Sequence, residues 1–303
     1  MQLGTRRSPL AMAQADEARG WLLAAHPGLR VELVPVTASG DKVLDRPLAE
    51  IGGKALWTKE LDAWLLGGSI DFAVHSLKDV ETVRPPALII AAVLPREDVR
   101  DCLIGAASLE ALAPGARIGT SAPRRAALAL RARPDCSVVG IRGNVATRLA
   151  KLDAGEADAT LLALAGLKRL GLGDTGVPLD PQVWLPAPGQ GAIAIECRAD
   201  DAAMRELLAA INHQPSFDAV TAERALLWAL GGNCHSPIAV LTEHRDGQLM
   251  MTAALLSPDG AEEVRGEAVF SPGDLGVPHA LAAELLERAG PDIRVHFDPP
   301  GES

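Results

Sequence analysis

Ile118-Gly119-Thr120-Ser121-Ala122-Pro123-Arg124-Arg125 and, just beyond it, Val138-Val139-Gly140-Ile141-Arg142-Gly143-Asn144 decide the fold class. Each stretch leaves a short apolar run, enters a basic turn and opens a helical pattern. The helices predicted are Pro123–Arg131 and Asn144–Ala154. Pro123 and Asn144 suit a first helical turn, Pro because its φ is preset and Asn because its side chain can cap. Strand, turn and helix in repeated succession is α/β order. In open α/β sheets, ligands bind beyond the carboxyl ends of the strands, where these basic turns fall.

The same alternation extends outward. Val31–Val36, Ile70–His75, Leu88–Val93, Thr160–Ala163 and Ala192–Cys197 read as strands, with Val138–Ile141 among them. Pro9–Ala25, Lys59–Leu66 and Asp201–Ile211 read as amphipathic helices. The charged stretch Arg96–Asp101 is expected to be a crossover. Pro178–Pro188, with prolines at 178, 181, 186 and 188, is expected to be extended. Two crossovers let the chain leave one α/β lobe, build a second and return. After about Phe217 the pattern changes to the helix Thr221–Ala229, three strands and the helix His279–Ala289, a small α+β domain. Pro299–Ser303 is expected to fray. No internal repeat or low-complexity block stands out.

Arg6-Arg7-Ser8-Pro9 is a third basic helix start. A helix N-terminus carries partial positive charge, so each added cation costs roughly a few tenths of a kcal/mol. Free N–H groups and guanidinium forks together compensate by binding a carboxylate or phosphate. Residues 119–151 hold seven Lys/Arg against one acid, Asp135, in a chain of net charge −10. One such cluster fits a solvated basic face equally well; three at helix starts favour a small polyanion.

The chain has 303 residues, 48% hydrophobic, enough for two or three domains with proper cores. Its acidity argues against general nucleic-acid binding. Only 3% of residues are aromatic and none is Tyr, so base-stacking platforms are poorly supplied. Cys102, Cys136, Cys197 and Cys234 form no C-x-x-C pair, which argues against a zinc site and a disulfide framework. No signal peptide or membrane-length apolar run is present. The expectation is a soluble protein of a reducing compartment.

Three further places could carry chemistry. The strand Ile70–His75 opens into Ser76-Leu77-Lys78-Asp79-Val80, placing a Lys and an Asp at a strand's carboxyl end. A surface ion pair is the commoner fate of adjacent Lys and Asp, and His75 alone reads as structural. Asn144 caps a helix whose apolar stripe is Val145, Leu149 and Leu152; Arg148 lies beside that stripe. Leu230-Gly231-Gly232-Asn233-Cys234-His235-Ser236-Pro237 holds a thiol in a turn. A loop thiol has access to small molecules and a buried one is inert, and the residues alone leave both open.

Together these segments resemble the hydroxymethylbilane synthase (porphobilinogen deaminase) family, in order and over nearly the whole chain. The match runs through Gly4–Ala11, Gly52-Gly53-Lys54, His75–Val80, Gly119-Thr120-Ser121, Arg124-Arg125 and Arg142–Val145. It continues through Thr147-Arg148-Leu149, Ala165–Gly171, Pro188-Gly189-Gln190-Gly191, and Cys234 with Pro237. The resemblance implies two lobes like those of periplasmic binding proteins, with the active site in their cleft, plus a small α+β domain. The boundaries it suggests are 1–95 with 189–214, then 96–188, then 215–303. It implies a dipyrromethane cofactor joined to Cys234 by a thioether. Four porphobilinogens are joined head to tail with loss of ammonia, and the linear tetrapyrrole is released by hydrolysis.

The resemblance assigns roles residue by residue. Asp79 matches the catalytic aspartate, which stabilises the azafulvene cation and the pyrrole N–H groups. Ser76, Lys78, Thr120, Ser121, Arg124, Arg125, Arg142, Gly143 and Gly191 are implied around the cofactor. Arg6, Ser8, Arg142, Arg148, Arg169 and Gln190 are implied around the substrate. Arginine suits acetate and propionate because its planar fork binds carboxylates bidentately. No metal, nucleic acid or membrane is implied, and the expected state is a cytoplasmic monomer. Ala122-Pro123, Trp57 and Asn233 depart from the family pattern; Ala122 lacks a capping oxygen, a loss of roughly 0.5–2 kcal/mol. Two rivals are a non-catalytic binding protein of the same lobed fold and a phosphate-ester enzyme. Cys234 and its domain count against the first, and the lack of a P-loop counts against the second.

Overall fold

The computed structural model describes residues 1–36 and 58–300. Gly52-Gly53-Lys54 and Trp57 lie outside the described residues. Contacts divide the chain into two units. One contains Met1–Glu97, Arg169–Gly171 and Gly191–Phe217; the other contains Asp98–Lys168, Leu172–Gln190 and Asp218–Ser303.

The first unit is built on a five-stranded sheet. Its order is Glu32–Val36, Gln2–Arg6, Phe72–Ser76, Ile193–Arg198, Leu88–Val93. The first three strands run parallel, and Ile193–Arg198 runs antiparallel to both its neighbours. Phe72 through His75 are buried in succession, as are Ile193 through Cys197. Strands buried on both faces read as continuous apolar runs, not as alternation. The helix Pro9–Ala25 covers one face with Ala15, Ala18 and Leu22 against Leu3, Phe72, Val74 and Ile195. Full burial of a side chain such as Leu22 or Phe72 contributes about 1.5–3 kcal/mol.

The second unit repeats that plan. Its five-stranded sheet has the order Ser137–Val139, Arg117–Gly119, Ala159–Ala163, Asp101–Ile104, Val177–Pro178. The first three strands are parallel, and Asp101–Ile104 is antiparallel to both its neighbours. In each sheet the antiparallel strand is the first strand after the chain passes from one unit to the other. The shared plan leaves no trace as a sequence repeat. The unit also holds a meander of three antiparallel strands, Ile238–Arg245, Gln248–Leu256 and Glu263–Phe270. The meander packs on Ala222, Leu226, Leu281 and Leu285 from the helices Gln214–Ala229 and Gly276–Arg288.

Two expectations are corrected. Arg96–Asp101 is not all crossover, because Asp101 begins a strand and is fully buried. The proline-rich segment is not extended throughout: it turns at 181–183 and again at 188–190, and Trp184 and Leu185 between them are buried. Asp101 and Trp184 meet: the indole Nε1 donates to the buried carboxylate at 3.0 Å.

Candidate active site

In the first unit the expected residues gather where parallel strands end. Gln2–Arg6 delivers Arg6 and then Ser8, whose Oγ accepts from Ala11 N at 3.3 Å and caps Pro9–Ala25. Phe72–Ser76 runs into a 3-10 turn, Leu77–Asp79. The turn is tied down by Leu77 N to Ala192 O and Val80 N to Leu77 O, both 3.0 Å. Arg6, Ser76 and Asp79 line one pocket, with Gln14 and His75. The Ser76 hydroxyl donates to Gln14 Oε1 at 2.8 Å. Lys78 is half-buried on the same turn.

A buried ionic cluster that sequence patterning misses lies behind this turn. Arg84 forks onto Glu196 through Nε and Nη2, both 2.8 Å, and also binds Asp62 and, at 2.7 Å, Glu81. Thr58, which lines the pocket, donates to Glu81 at 2.7 Å. His75 Nε2 lies 3.3 Å from Glu196. Burial works against charge on Glu196, but contacts with His75 and Arg84 outweigh it and hold the carboxyl at about 2. At Asp62 burial wins over Arg84, and its carboxyl is raised.

Arg169, expected to meet substrate, is engaged inside its own unit. Its Nε pairs with Glu17 at 2.8 Å, and its Nη atoms donate to Gly191 O at 3.3 Å. Gly191 thus enters as a backbone acceptor for Arg169.

In the second unit the helix Pro123–Ala132 starts as expected, with Pro123 in its first turn. Ala122 gives no side-chain cap, and Thr120 Oγ1 instead accepts from Ala122 N at 3.2 Å. Ser121 Oγ donates to Ile141 O at 3.1 Å. Arg124 and Arg125, implied around the cofactor, are both buried, and both pair with Asp101. Each places Nη2 2.7 Å from one of its oxygens. Each Nη1 donates to a backbone carbonyl, Leu185 O at 2.7 Å and Leu161 O at 2.9 Å. Burial alone would raise the Asp101 carboxyl, yet the two guanidiniums outweigh it and hold it far below the usual carboxylate range. Gln190, expected at the substrate, is fully buried and donates to Asp101 Oδ1 at 2.9 Å and Val99 O at 2.7 Å.

The local charge excess is corrected in the same way. Of the seven cations in 119–151, five have carboxylate partners. Arg124 and Arg125 share Asp101, Arg131 meets Glu263, Arg133 meets Asp135, and Lys151 meets Glu156. Three of these four acids lie outside the segment and arrive through tertiary folding.

Asn144 caps Val145–Asp153 as expected, accepting from Thr147 N at 2.9 Å. Arg148 Nε reaches back to Gly143 O at 2.9 Å. Gly143 has φ +118°, and a Cβ there would lie 2.6 Å from Thr147 Cγ2. Only glycine fits between Arg142 and the cap.

Cys234 is the exposed member of four free cysteines; Cys102, Cys136 and Cys197 are buried. Its turn is built locally. Asn233 Oδ1 accepts from His235 N at 2.8 Å, straddling the cysteine, and Ser236 Oγ accepts from Asn233 N at 3.1 Å. The Asn233 departure therefore serves as an Asx turn. Gly231 (φ +62°) packs against the Asp298 carbonyl where a Cβ would clash. Cys234 is thus a presented thiol.

These features define a class: an α/β protein with arginines and a carboxylate at strand ends and one presented cysteine, suited to small polycarboxylates. Comparison with known proteins sharpens this. The family model for the porphobilinogen deaminase dipyrromethane cofactor binding domain matches residues 1–206, and that for the porphobilinogen deaminase C-terminal domain matches 217–287. A porphobilinogen deaminase of Sphingopyxis alaskensis is 56% identical, covering 98% of this chain and 96% of that protein. Solved structures with partial likeness include a methionine-bound nutrient binding protein from Burkholderia cenocepacia. It shows 15% identity and TM-score 0.43, covering 70% of this chain and 91% of that one. The BvgS VFT2 domain of Bordetella pertussis shows 16% identity and TM-score 0.39, covering 70% and 86%.

The chain belongs to the porphobilinogen deaminase family. It is a transferase of porphyrin and heme biosynthesis with hydroxymethylbilane synthase activity, acting on porphobilinogen with a dipyrromethane cofactor.

Proposed function

We propose that Cys234 holds the dipyrromethane through a thioether, that Asp79 is the catalytic carboxylate, and that arginines bind the acetate and propionate groups. The observation that carries the cofactor assignment is the presentation of Cys234: one exposed thiol among four, in a turn formed around it. The donor set fits the group as well. Arg125 Nε is buried without a hydrogen-bond acceptor, a donor left over once Asp101 and Leu161 O are served.

When bound, the cofactor supplies a nucleophilic pyrrole carbon. Each condensation forms one carbon–carbon bond, breaks the substrate's aminomethyl C–N bond and releases ammonia. The attacking ring carbon would give up its hydrogen as a proton, which balances the ammonia released. Positive charge develops on the substrate as the C–N bond breaks, so a nearby carboxylate stabilises it and a guanidinium opposes it. Asp79 has the right sign, and it lies in one pocket with Arg6. Arg6, Ser8, Arg142, Arg148 and Arg169 are the substrate-carboxylate binders, and Ser76, Lys78, Thr120, Ser121, Arg124, Arg125, Arg142 and Gly143 are the cofactor binders. We read the second unit as two domains, 96–188 and 215–303, because it holds two separate sheets. We read the enzyme as a cytoplasmic monomer; four cysteines without a disulfide suit a reducing compartment.

Intact-mass measurement tests the assignment. The wild-type chain should carry the mass of two pyrrole units, and Cys234→Ser should carry none and lack turnover. Added mass retained by Cys234→Ser, or mapped to another cysteine, refutes it.

A further inference from the structure

We infer that Asp101 is a positioning residue for cofactor capture: it fixes Arg124 and Arg125 in the one arrangement that meets a ligand carboxylate. This rests on the reading of those arginines as cofactor binders. A free guanidinium rotates about several bonds. Here each fork is held at two points, a carbonyl at Nη1 and Asp101 at Nη2. Asp101 is itself held by four donors, the two guanidiniums, Trp184 Nε1 at 3.0 Å and Gln190 Nε2 at 2.9 Å. None of its freedom remains, so both guanidinium planes are set before any ligand arrives. Such preorganisation lowers the ordering cost of binding.

The charge balance points the same way. Two guanidiniums share one carboxylate, leaving one uncompensated positive charge in a cluster where Asp101, Arg124 and Arg125 are all buried. A purely structural clasp would be closed by an equal number of charges and acceptors. This one is short by one anion, and Arg125 Nε lacks an acceptor. A ligand carboxylate supplies both. Asp101 therefore offsets the repulsion between the arginines and leaves the cluster one positive charge in excess. Gln190 and Trp184 act through Asp101 and need not touch the ligand.

The test follows capture of the cofactor rather than turnover. Cofactor-free chains are incubated with porphobilinogen, and the gain of two pyrrole units is followed by intact mass across substrate concentrations. Trp184→Phe removes one neutral donor to Asp101 and leaves every charge. It should raise the half-saturating concentration about five- to tenfold, with the limiting rate of loading near wild type. Asp101→Asn, checked for folding by circular dichroism, should raise it about a hundredfold. If Asp101→Asn does not fold, Trp184→Phe decides. A variant that melts lower yet loads with wild-type concentration dependence makes Asp101 merely structural and overturns the inference. Arg125→Leu separates the two levels. If it loads normally, the cofactor role of the arginines fails. If it does not load while the Trp184 and Asp101 variants load like wild type, only the positioning role fails.

Discussion

Asp79 occupies a turn whose backbone is tied to Ala192 on one side and closed by Val80 on the other, and it lines a pocket with Arg6. Asp79→Asn keeps size and removes charge. It should leave the fold and the carboxylate contacts intact and slow single-turnover ammonia release by roughly 10²-fold or more, the scale of losing one electrostatic group at a developing charge. Asp79→Glu keeps the charge but moves it by a methylene, so it should retain more activity than Asn. Ammonia release from cofactor-loaded Asp79→Asn at the wild-type rate would demote Asp79 to a turn residue. Asp79 is legible in sequence because a strand, a turn and a charged pair lie consecutively. The bond from Gln190 to Asp101 is not, because its partner lies 89 positions away.

Helices are the most legible elements, and their termini explain why. Ser8 with Pro9, and Asn144, cap where a cap was expected, because capping depends on residues a few positions apart. Arg117–Gly119, of three residues, and Asp101–Ile104, of four, are too short to show a period. The Arg84 cluster is invisible for a different reason: Asp62, Arg84 and Glu196 come from three distant segments. Its energetics yield a prediction. Glu196 is held at about 2 against an ordinary value of 4.5. Its folded value is depressed, so its stabilisation is present above about pH 4.5 and is lost as pH falls toward 2. That shift corresponds to about 3 kcal/mol. Arg84→Met leaves Glu196 buried with only His75 beside it, at a cost of about 3–5 kcal/mol near neutrality. The loss of stability on acidification should then weaken, since protonation relieves a buried carboxylate that has lost its guanidinium. Melting temperatures from pH 3 to 7 check this. The gap between wild type and Arg84→Met should shrink on acidification; a gap independent of pH would remove Glu196 as its source.

At the scale of the molecule, the family is legible in a sequence whose charge count misleads. Seven cations against one acid in 119–151 suggest an open basic surface, yet folding brings Asp101, Glu156 and Glu263 to that segment and leaves a far smaller surplus. A window of sequence counts only local acids, whereas a sheet of non-sequential strands recruits remote ones. The surplus that survives is selective rather than diffuse, and this has a measurable consequence within the second unit. If the cofactor on Cys234 engages the arginine turns, loading should slow hydrogen exchange at residues 119–125 and 142–148 as well as at 231–236. Those backbone amides lie at strand ends and helix starts, where N–H groups lack intrahelical partners and exchange readily without a ligand. The meander strand Glu263–Phe270 belongs to the same unit but carries none of the proposed ligand contacts, and its exchange should not change. Comparing cofactor-free and loaded protein by hydrogen exchange with mass spectrometry separates the possibilities. Protection at 231–236 alone would mean that Cys234 holds a group the arginines never touch. Uniform protection that includes Glu263–Phe270 would mean global stabilisation rather than recognition. Protection at both arginine turns and the cysteine turn, with that strand unchanged, is the expected result.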